Sequence, residues 1–144
     1  MNVSVDFAEL LDICGIPATP HRLAVLKVIS ESPSPVRAQD ILEKLHKTKN
    51  INKVTVYRIL DLFVEKHLVE RISSGDRSFR YGLATQVHGR PHAHFYCTTC
   101  GTMECLSPED LKIDTRRLNR AFPGAIKKFE IRLDGTCSNC LKSY

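Results

Sequence analysis

The sequence predicts an α+β fold in two parts, a helical N-terminal part closed by a strand hairpin and a smaller mixed C-terminal part held by metal. Three observations carry this expectation. Apolar residues recur at helical spacing through the first half of the chain. The period then switches to two in "LVERIS" and "RSFRYG", on either side of the turn signal "SSGD". Two CxxC pairs, Cys97/Cys100 and Cys137/Cys140, bracket the C-terminal part.

In chain order, "SVDFAELLDICG" puts Phe7, Leu10, Leu11 and Cys14 on one helical stripe, with Gly15 as the stop. "TPHRLAVLKVIS" opens with Thr19 as N-cap and Pro20 at the first helical position, and Leu23, Val25, Leu26 and Ile29 form its buried face. "ESPSPV" is a loop. "RAQDILEKLHK" is a short amphipathic helix with Ile41, Leu42 and Leu45 inward. "NKVTVYRILDLFVEKHLV" has its stripe at Val56, Ile59, Leu60, Phe63 and Val64. Helices followed by a basic hairpin predict a winged helix-turn-helix over residues 1–83, its recognition helix starting near Asn52.

From Ala84 the pattern changes. "ATQVHGRPHAH" reads as a linker, with a hinge about 83–91, and 84–144 as a second domain. "HFYC" and "TMECL" are strand-like. "SPEDLKIDTRRLNRAF" reads as one helix with Ser107 as N-cap, Pro108 in the first turn, and Glu109 and Asp110 at the positive helix end. "AIKKFEIRL" alternates at Phe129, Ile131 and Leu133 as a half-buried strand.

The chain has 144 residues, 42% hydrophobic and 26% charged, which suits one ordinary globular domain or two small ones. No apolar run approaches the roughly 20 residues a membrane helix needs. The N-terminus carries Asp6, Glu9 and Asp12 and no early Lys or Arg, so a signal peptide is not expected and the cytosol is. The net charge of +5 fits nucleic acid, or only a solvated surface. Six cysteines in a reducing compartment point to metal or redox chemistry rather than disulfides.

Each CxxC turns two sulfurs toward one point, and two of them complete a tetrahedral thiolate shell for Zn²⁺. Cys97, Cys100, Cys137 and Cys140 are therefore expected to hold a structural zinc, with no open position for chemistry. A lobe of about 60 residues has little room for a core, and a metal staple is the usual remedy. Redox CxxC motifs or unrelated thiols are the competing reading. No catalytic residues are expected. The H-x-E that precedes P-C-x-x-C in zinc deaminases is missing before "YCTTC", and HExxH, a P-loop and a G-x-S-x-G elbow are absent.

"GIPATPHRLAVLKVI", "VTVYRILDLFVEKHLVERI", "GDRSFRYG", "HAHFYCTTCG" and "GTCSNC", in that order, resemble the ferric uptake regulator family of bacterial metal-dependent repressors. The resemblance covers nearly the whole chain. It implies a homodimer with an N-terminal winged helix and a C-terminal α/β dimerisation domain. It also implies a structural zinc on the four cysteines, a palindromic DNA operator, and a second, sensory metal near the hinge.

The sensory positions depart from the family's iron-sensing pattern. The family's H-H-D-H run is "PHAH" here, Pro91 to His94. Positions that carry ligands in the family fall at Pro35, Gly82 and near Phe129, and its acidic ligand after CxxCG falls at Cys105, beside Glu104. His92 and His94, two apart on an extended segment, point to one side. Cys105 on the next strand adds a thiol, with His88 as a further candidate and Glu70 or Glu104 as weaker ones. Thiolate plus imidazole suits Zn²⁺, whereas carboxylate-rich shells suit iron or manganese. The second metal is thus expected to be zinc, with an iron-type or peroxide-sensing regulator as the alternative. Cys105 as a packed strand residue is the bland reading, and Cys14 is expected to pack.

A recognition helix presents its N-terminal residues to base edges. Thr55 and Tyr57 are expected at bases, and Lys53 and Arg58 at phosphate or guanine. The resemblance supports Tyr57 and Arg58, and adds Arg22 near the backbone. The family's minor-groove lysine is Pro17 here. The reading from another class is a zinc-stabilised protein-interaction module with no DNA role.

Overall fold

The computed structural model describes residues 6–48, 50–84, 93–106, 114–126 and 129–143. The chain divides into two compact units, Met1–His88 and Gly89–Tyr144.

The first unit contains α1 (Phe7–Ile13), α2 (Pro20–Glu31), α3 (Ala38–His46), α4 (Lys53–Glu65), β1 (Val69–Ser73) and β2 (Phe79–Leu83). Each helix start has a local cause. Asp6, Thr19 and Asn52 accept from the backbone N–H three residues on, at 3.2, 3.3 and 2.9 Å. At α3 the Asp40 carboxylate instead accepts from the Arg37 backbone N–H and guanidinium, at 3.0–3.2 Å. The ends are equally local. Gly15, at φ +73, ends α1, with Gly15 N donating to Asp12 O and Ile16 N to Leu11 O. His67, at φ 60, ends α4 in the same way, with Leu68 N donating to Phe63 O and His67 N to Val64 O.

The expected stripes converge on one core of Leu11, Val25, Leu26, Ile29, Ile41, Leu45, Val56, Ile59, Leu60 and Phe63, extended by Leu68, Val69 and Tyr81. Leu23, Leu42 and Val64, expected inward, sit half-buried at its edge, as do Phe7, Leu10 and Cys14. β1 and β2 form an antiparallel hairpin with Val69 opposite Leu83 and Ser73 opposite Phe79. Val36 of the predicted loop exchanges backbone hydrogen bonds with Tyr81 (3.0 and 2.7 Å), fastening the hairpin to the helices.

The second unit contains β3 (His94–Cys97), β4 (Met103–Cys105), α5 (Thr115–Ala121), β5 (Arg132–Gly135) and α6 (Ser138–Lys142). The sheet order is β4-β3-β5, with β4 antiparallel and β5 parallel to β3.

Two expectations are corrected here. The single helix read from Ser107 to Phe122 does not run through Asp114, whose backbone is extended and whose side chain caps α5 by accepting from Arg117 N at 3.0 Å. An aspartate that can cap competes with continuing the helix. Ser107, Pro108, Glu109 and Asp110 lie outside the described residues. The strand read over "AIKKFEIRL" starts only at Arg132, where pairing with His94 begins. Phe129 and Ile131 precede it half-buried, and Leu133 is exposed. Cys137 is the N-cap residue of the short helix α6.

Candidate metal centre and exposed helix face

Three local devices bring the four cysteines together. β3 delivers Cys97 into a turn closed by Gly101 N donating to Cys97 O (2.9 Å), with Gly101 at φ 79, which a glycine adopts without strain. That turn aims Cys100 back toward Cys97. Thr98 N donates to Gly135 O (2.9 Å), which brings the end of β5 alongside. The α6 turn then carries Cys137 and Cys140.

The four sulfurs lie within 4.8 Å of one another, and among the described residues they are the one such group of three or more metal-ligating side chains. Cys97 Sγ is 3.8 Å from Cys140 Sγ, and Cys100 Sγ is 3.8 Å from Cys137 Sγ. A disulfide would need about 2.05 Å, and none of the six cysteines forms one. A tetrahedron with Zn–S bonds of about 2.3 Å has S···S edges of about 3.8 Å. The donor set and its dimensions therefore fit Zn²⁺.

The surroundings of Cys97 and Cys100 favour their thiolates. Cys97 Sγ accepts from the N–H groups of Cys100 (3.5 Å) and Cys137 (3.4 Å), which pull its thiol down to about 6. The Thr102 hydroxyl, 3.1 Å from Cys100 Sγ, lowers that thiol too. Cys140 is pushed up to about 12 by Cys137 beside it and by burial. Four sulfurs this close share protons between them, and together they would hold a divalent cation as thiolates, with loss of those protons. The spacing of the cysteines located this site. The backbone donors and Thr102 have no sequence signal beyond the glycine of CxxCG.

The sensory candidates fall elsewhere in the unit. His94 and Cys105 are Cα partners in the β3–β4 ladder. Cys97 N donates to Thr102 O and Leu106 N to Ala93 O, both at 2.9 Å, so the 97/102 and 93/106 pairs are the hydrogen-bonded ones. The intervening His94/Cys105 pair is non-hydrogen-bonded, the type whose Cα atoms approach to about 4.5 Å with side chains adjacent on one face. His94 is 4% exposed, while Cys105 is exposed to solvent. Burial therefore gives no account of the thiol at position 105. Glu104 pairs with Phe95 and points to the opposite face. Glu70 belongs to β1 in the other unit, paired with Gly82. His88 and His92 lie outside the described residues.

The helix positions separate by face. Val56 and Ile59 are buried, whereas Lys53, Tyr57 (41% exposed) and Arg58 are exposed, and Thr55 is half-exposed behind them. Lys53 Nζ stands 5.9 Å from the Tyr57 ring centroid, so a cation and an aromatic ring share the open side of α4. Val54, 57% exposed, was not singled out and lies on this open surface too. Arg22 donates to Pro17 O at 2.9 Å, which holds its guanidinium at the start of α2. His21 is half-buried, and His46 and His67 are exposed. Among the described residues no helix is long and apolar enough to cross a membrane.

A family model described as the ferric uptake regulator family matches residues 14–132. That range ends before Cys137 and Cys140, so the quartet rests on its own geometry. The chain is 32% identical over 125 residues to the ferric uptake regulation protein of Bacillus subtilis, covering 85% of this chain and 83% of that protein. It is 29% identical over 136 residues to the peroxide operon regulator of the same organism, covering 93% and 90%. Among solved structures it is similar to a zinc uptake regulator complexed with zinc and DNA, at TM-score 0.66 and 26% identity over 97% of this chain and 98% of that one.

Proposed function

This chain belongs to the ferric uptake regulator family and is a metal-responsive, DNA-binding transcription regulator; within that role we propose that it senses zinc, as a homodimeric cytoplasmic repressor of metal-uptake genes. The N-terminal winged helix, residues 1–83, binds a palindromic double-stranded operator through Lys53, Thr55, Tyr57 and Arg58, with Arg22 near the backbone. Residues 84–144 carry the metals and the dimer contact. Cys97, Cys100, Cys137 and Cys140 hold a closed, structural zinc. His94 and Cys105, with His92 and His88, hold the sensory one.

The observation that carries the choice of metal is the His94/Cys105 cross-strand pair, with Glu104 turned to the other face. An imidazole and an accessible thiol side by side, with the neighbouring carboxylate directed away, make a donor set that favours Zn²⁺ over iron. The similarity to a zinc uptake regulator complexed with zinc and DNA supports the same reading. Bound zinc would supply a cation that draws imidazole and thiolate together. If it binds the DNA-competent state more tightly, DNA must strengthen zinc binding by the same factor.

An iron-type or peroxide-sensing regulator is the second reading, favoured by identity to an iron and a peroxide regulator. Metal analysis and titration separate the two. Zinc sensing predicts two zinc per chain, one removable by mild chelation, and operator affinity that rises about 5- to 150-fold when that zinc is restored. Iron or manganese restoring affinity while zinc does not would establish the second reading instead.

A further inference from the structure

The four sulfurs of the quartet differ in their surroundings. Cys97 is buried and accepts from the backbone N–H groups of Cys100 (3.5 Å) and Cys137 (3.4 Å), so the fold itself fixes its direction. Cys137 and Cys140 are half-buried. Cys100 is exposed, which makes it the corner that water, chelators and electrophiles reach first.

A hydroxyl stands at that corner. Thr102 Oγ1 is 3.1 Å from Cys100 Sγ. Either atom can donate while the thiol keeps its proton, but a metal-bound thiolate has none, and the hydroxyl is then the donor. Its place is set by the backbone: Thr102 O accepts from Cys97 N at 2.9 Å, which pins the residue where β4 begins beside β3. Its branched side chain has few rotamers to choose from. Thr98, in the same loop, uses its hydroxyl differently, donating to Gly135 O (3.2 Å) and so tying β3 to β5. Thr102 is exposed, so water alone would satisfy its hydroxyl. Folding does not require the bond to sulfur, and the bond points to the ligand it meets.

We propose that Thr102 is a positioning residue of the metal quartet: its hydroxyl donates to the Cys100 thiolate, keeps that sulfur on the metal, and lowers its reactivity at the exposed corner. The proposal rests on the reading of the quartet as a zinc site. A hydrogen bond to a charged acceptor is about twice as strong as a neutral one. It orients the ligand, and losing such an outer partner typically costs about 10- to 100-fold in metal affinity. It also draws charge from the sulfur, and a thiolate stabilised in this way is a weaker nucleophile.

The test compares the full chain with Thr102→Val, which removes the hydroxyl and keeps the shape. The Thr102 N–H, which also faces Cys100 Sγ, stays in place, so the loss should be at the lower end, about tenfold in Zn²⁺ affinity by competition with a chromophoric chelator. Iodoacetamide on the zinc-loaded protein, with the alkylated cysteine mapped by mass spectrometry, should modify Cys100 several times faster than in the wild type. In the Co²⁺-substituted protein the thiolate-to-metal charge-transfer band should move to lower energy. Thr102→Ser should restore all three readouts. Wild-type affinity in Thr102→Val, or an unmoved band, would overturn the proposal. So would equal acceleration at all four cysteines, or the same acceleration at Cys100 in Thr98→Val, because either would mean that the loop had only loosened. The wild type supplies a check that needs no variant: Cys100 should be the first of the four to be alkylated, and Cys97 reacting first would count against Cys100 as the open corner. A wild type that binds no zinc would overturn the quartet as a metal centre and the proposal with it.

Discussion

Replacing Cys97 with serine should unfold the second unit and leave the first standing. In the first unit a core of Leu, Ile, Val and Phe side chains converges from four helices and the hairpin. In the second, Tyr96 and Met103 are the two large side chains buried among the described residues besides His94. Burial of such a side chain is worth about 1.5–3 kcal/mol. A structural zinc contributes about 10–16 kcal/mol of apparent binding free energy in small peptides at neutral pH, against a total stability of about 5–15 kcal/mol for an ordinary domain. The metal contribution is therefore as large as the stability it supports, and halving it is enough to unfold the unit. Cys97 is the most consequential sulfur to remove, because it is buried and accepts from two backbone N–H groups that would lose a charged partner. Hydrogen exchange read amide by amide is the assay. The amides of His94, Cys97 and Thr98, which donate to Ile131, Thr102 and Gly135, should lose protection, while those of α2 and α4 keep it. A Cys97→Ser protein that holds no metal and still protects those three amides would show that the unit stands on its own packing, and the reasoning would fail.

Other outcomes follow from the same structure. Cys105→Asp should move the metal response from zinc toward iron or manganese, because a carboxylate replaces the thiolate opposite His94; DNA binding titrated with each metal reads it, and an unchanged zinc response would remove Cys105 from the sensory site. Arg58→Ala should weaken DNA binding about tenfold, with a shallower salt slope if it meets phosphate or relaxed preference at one base pair if it meets guanine; unaltered binding across a salt series would count against α4 as the recognition helix. Asp76 is held down to about 2 from an ordinary 3.8 by its hydrogen bonds from Ser78 and Ser74, so its contribution to stability is present above pH 4 and lost as pH falls through 2. Asp76→Asn should accordingly flatten the acid limb of the stability profile in that window, which urea melts at pH 2 to 5 would show.

The helices of the first unit were legible because their causes are local. Thr19 with Pro20, Asn52 before Lys53, and Gly15 after α1 are caps that act within three or four residues. Where the cause is not local, the sequence does not show the element. Asp114 could stand inside a helix or cap a new one, and the pattern of apolar residues does not distinguish the two. The start of β5 is set by which residue meets His94 across a parallel ladder, and no run of alternating side chains contains that register. The left-handed backbone at Arg77 is likewise invisible, since arginine is not a residue that signals it. The metal quartet was legible because CxxC spacing carries its own geometry. The sequence places Cys105 on the strand after His94, but its pairing with His94, and the absence of ladder hydrogen bonds between the two, come only from the register.

That register also bears on the proposal that one short segment supplies two different metal sites. Side chains alternate along β3, so His94 and Tyr96 take one face and Phe95 and Cys97 the other. The β4 pairing places Cys105 and Met103 with His94, and Glu104 with Phe95. Cys97 and His94, three residues apart, therefore point in opposite directions, and the thiol at 105 cannot join the quartet any more than Cys97 can join the histidine. A slip of one residue between β3 and β4 would exchange Cys105 for Glu104 opposite His94, giving that face a carboxylate in place of a thiolate. The chemistry of the proposed second site would thus be set by strand pairing as much as by residue type. The structural quartet protects that pairing, because Cys97 ends β3, Cys100 closes the turn before β4, and Cys137 and Cys140 follow β5. Metal in the quartet would fix all three strand ends, and with them which residue stands opposite His94.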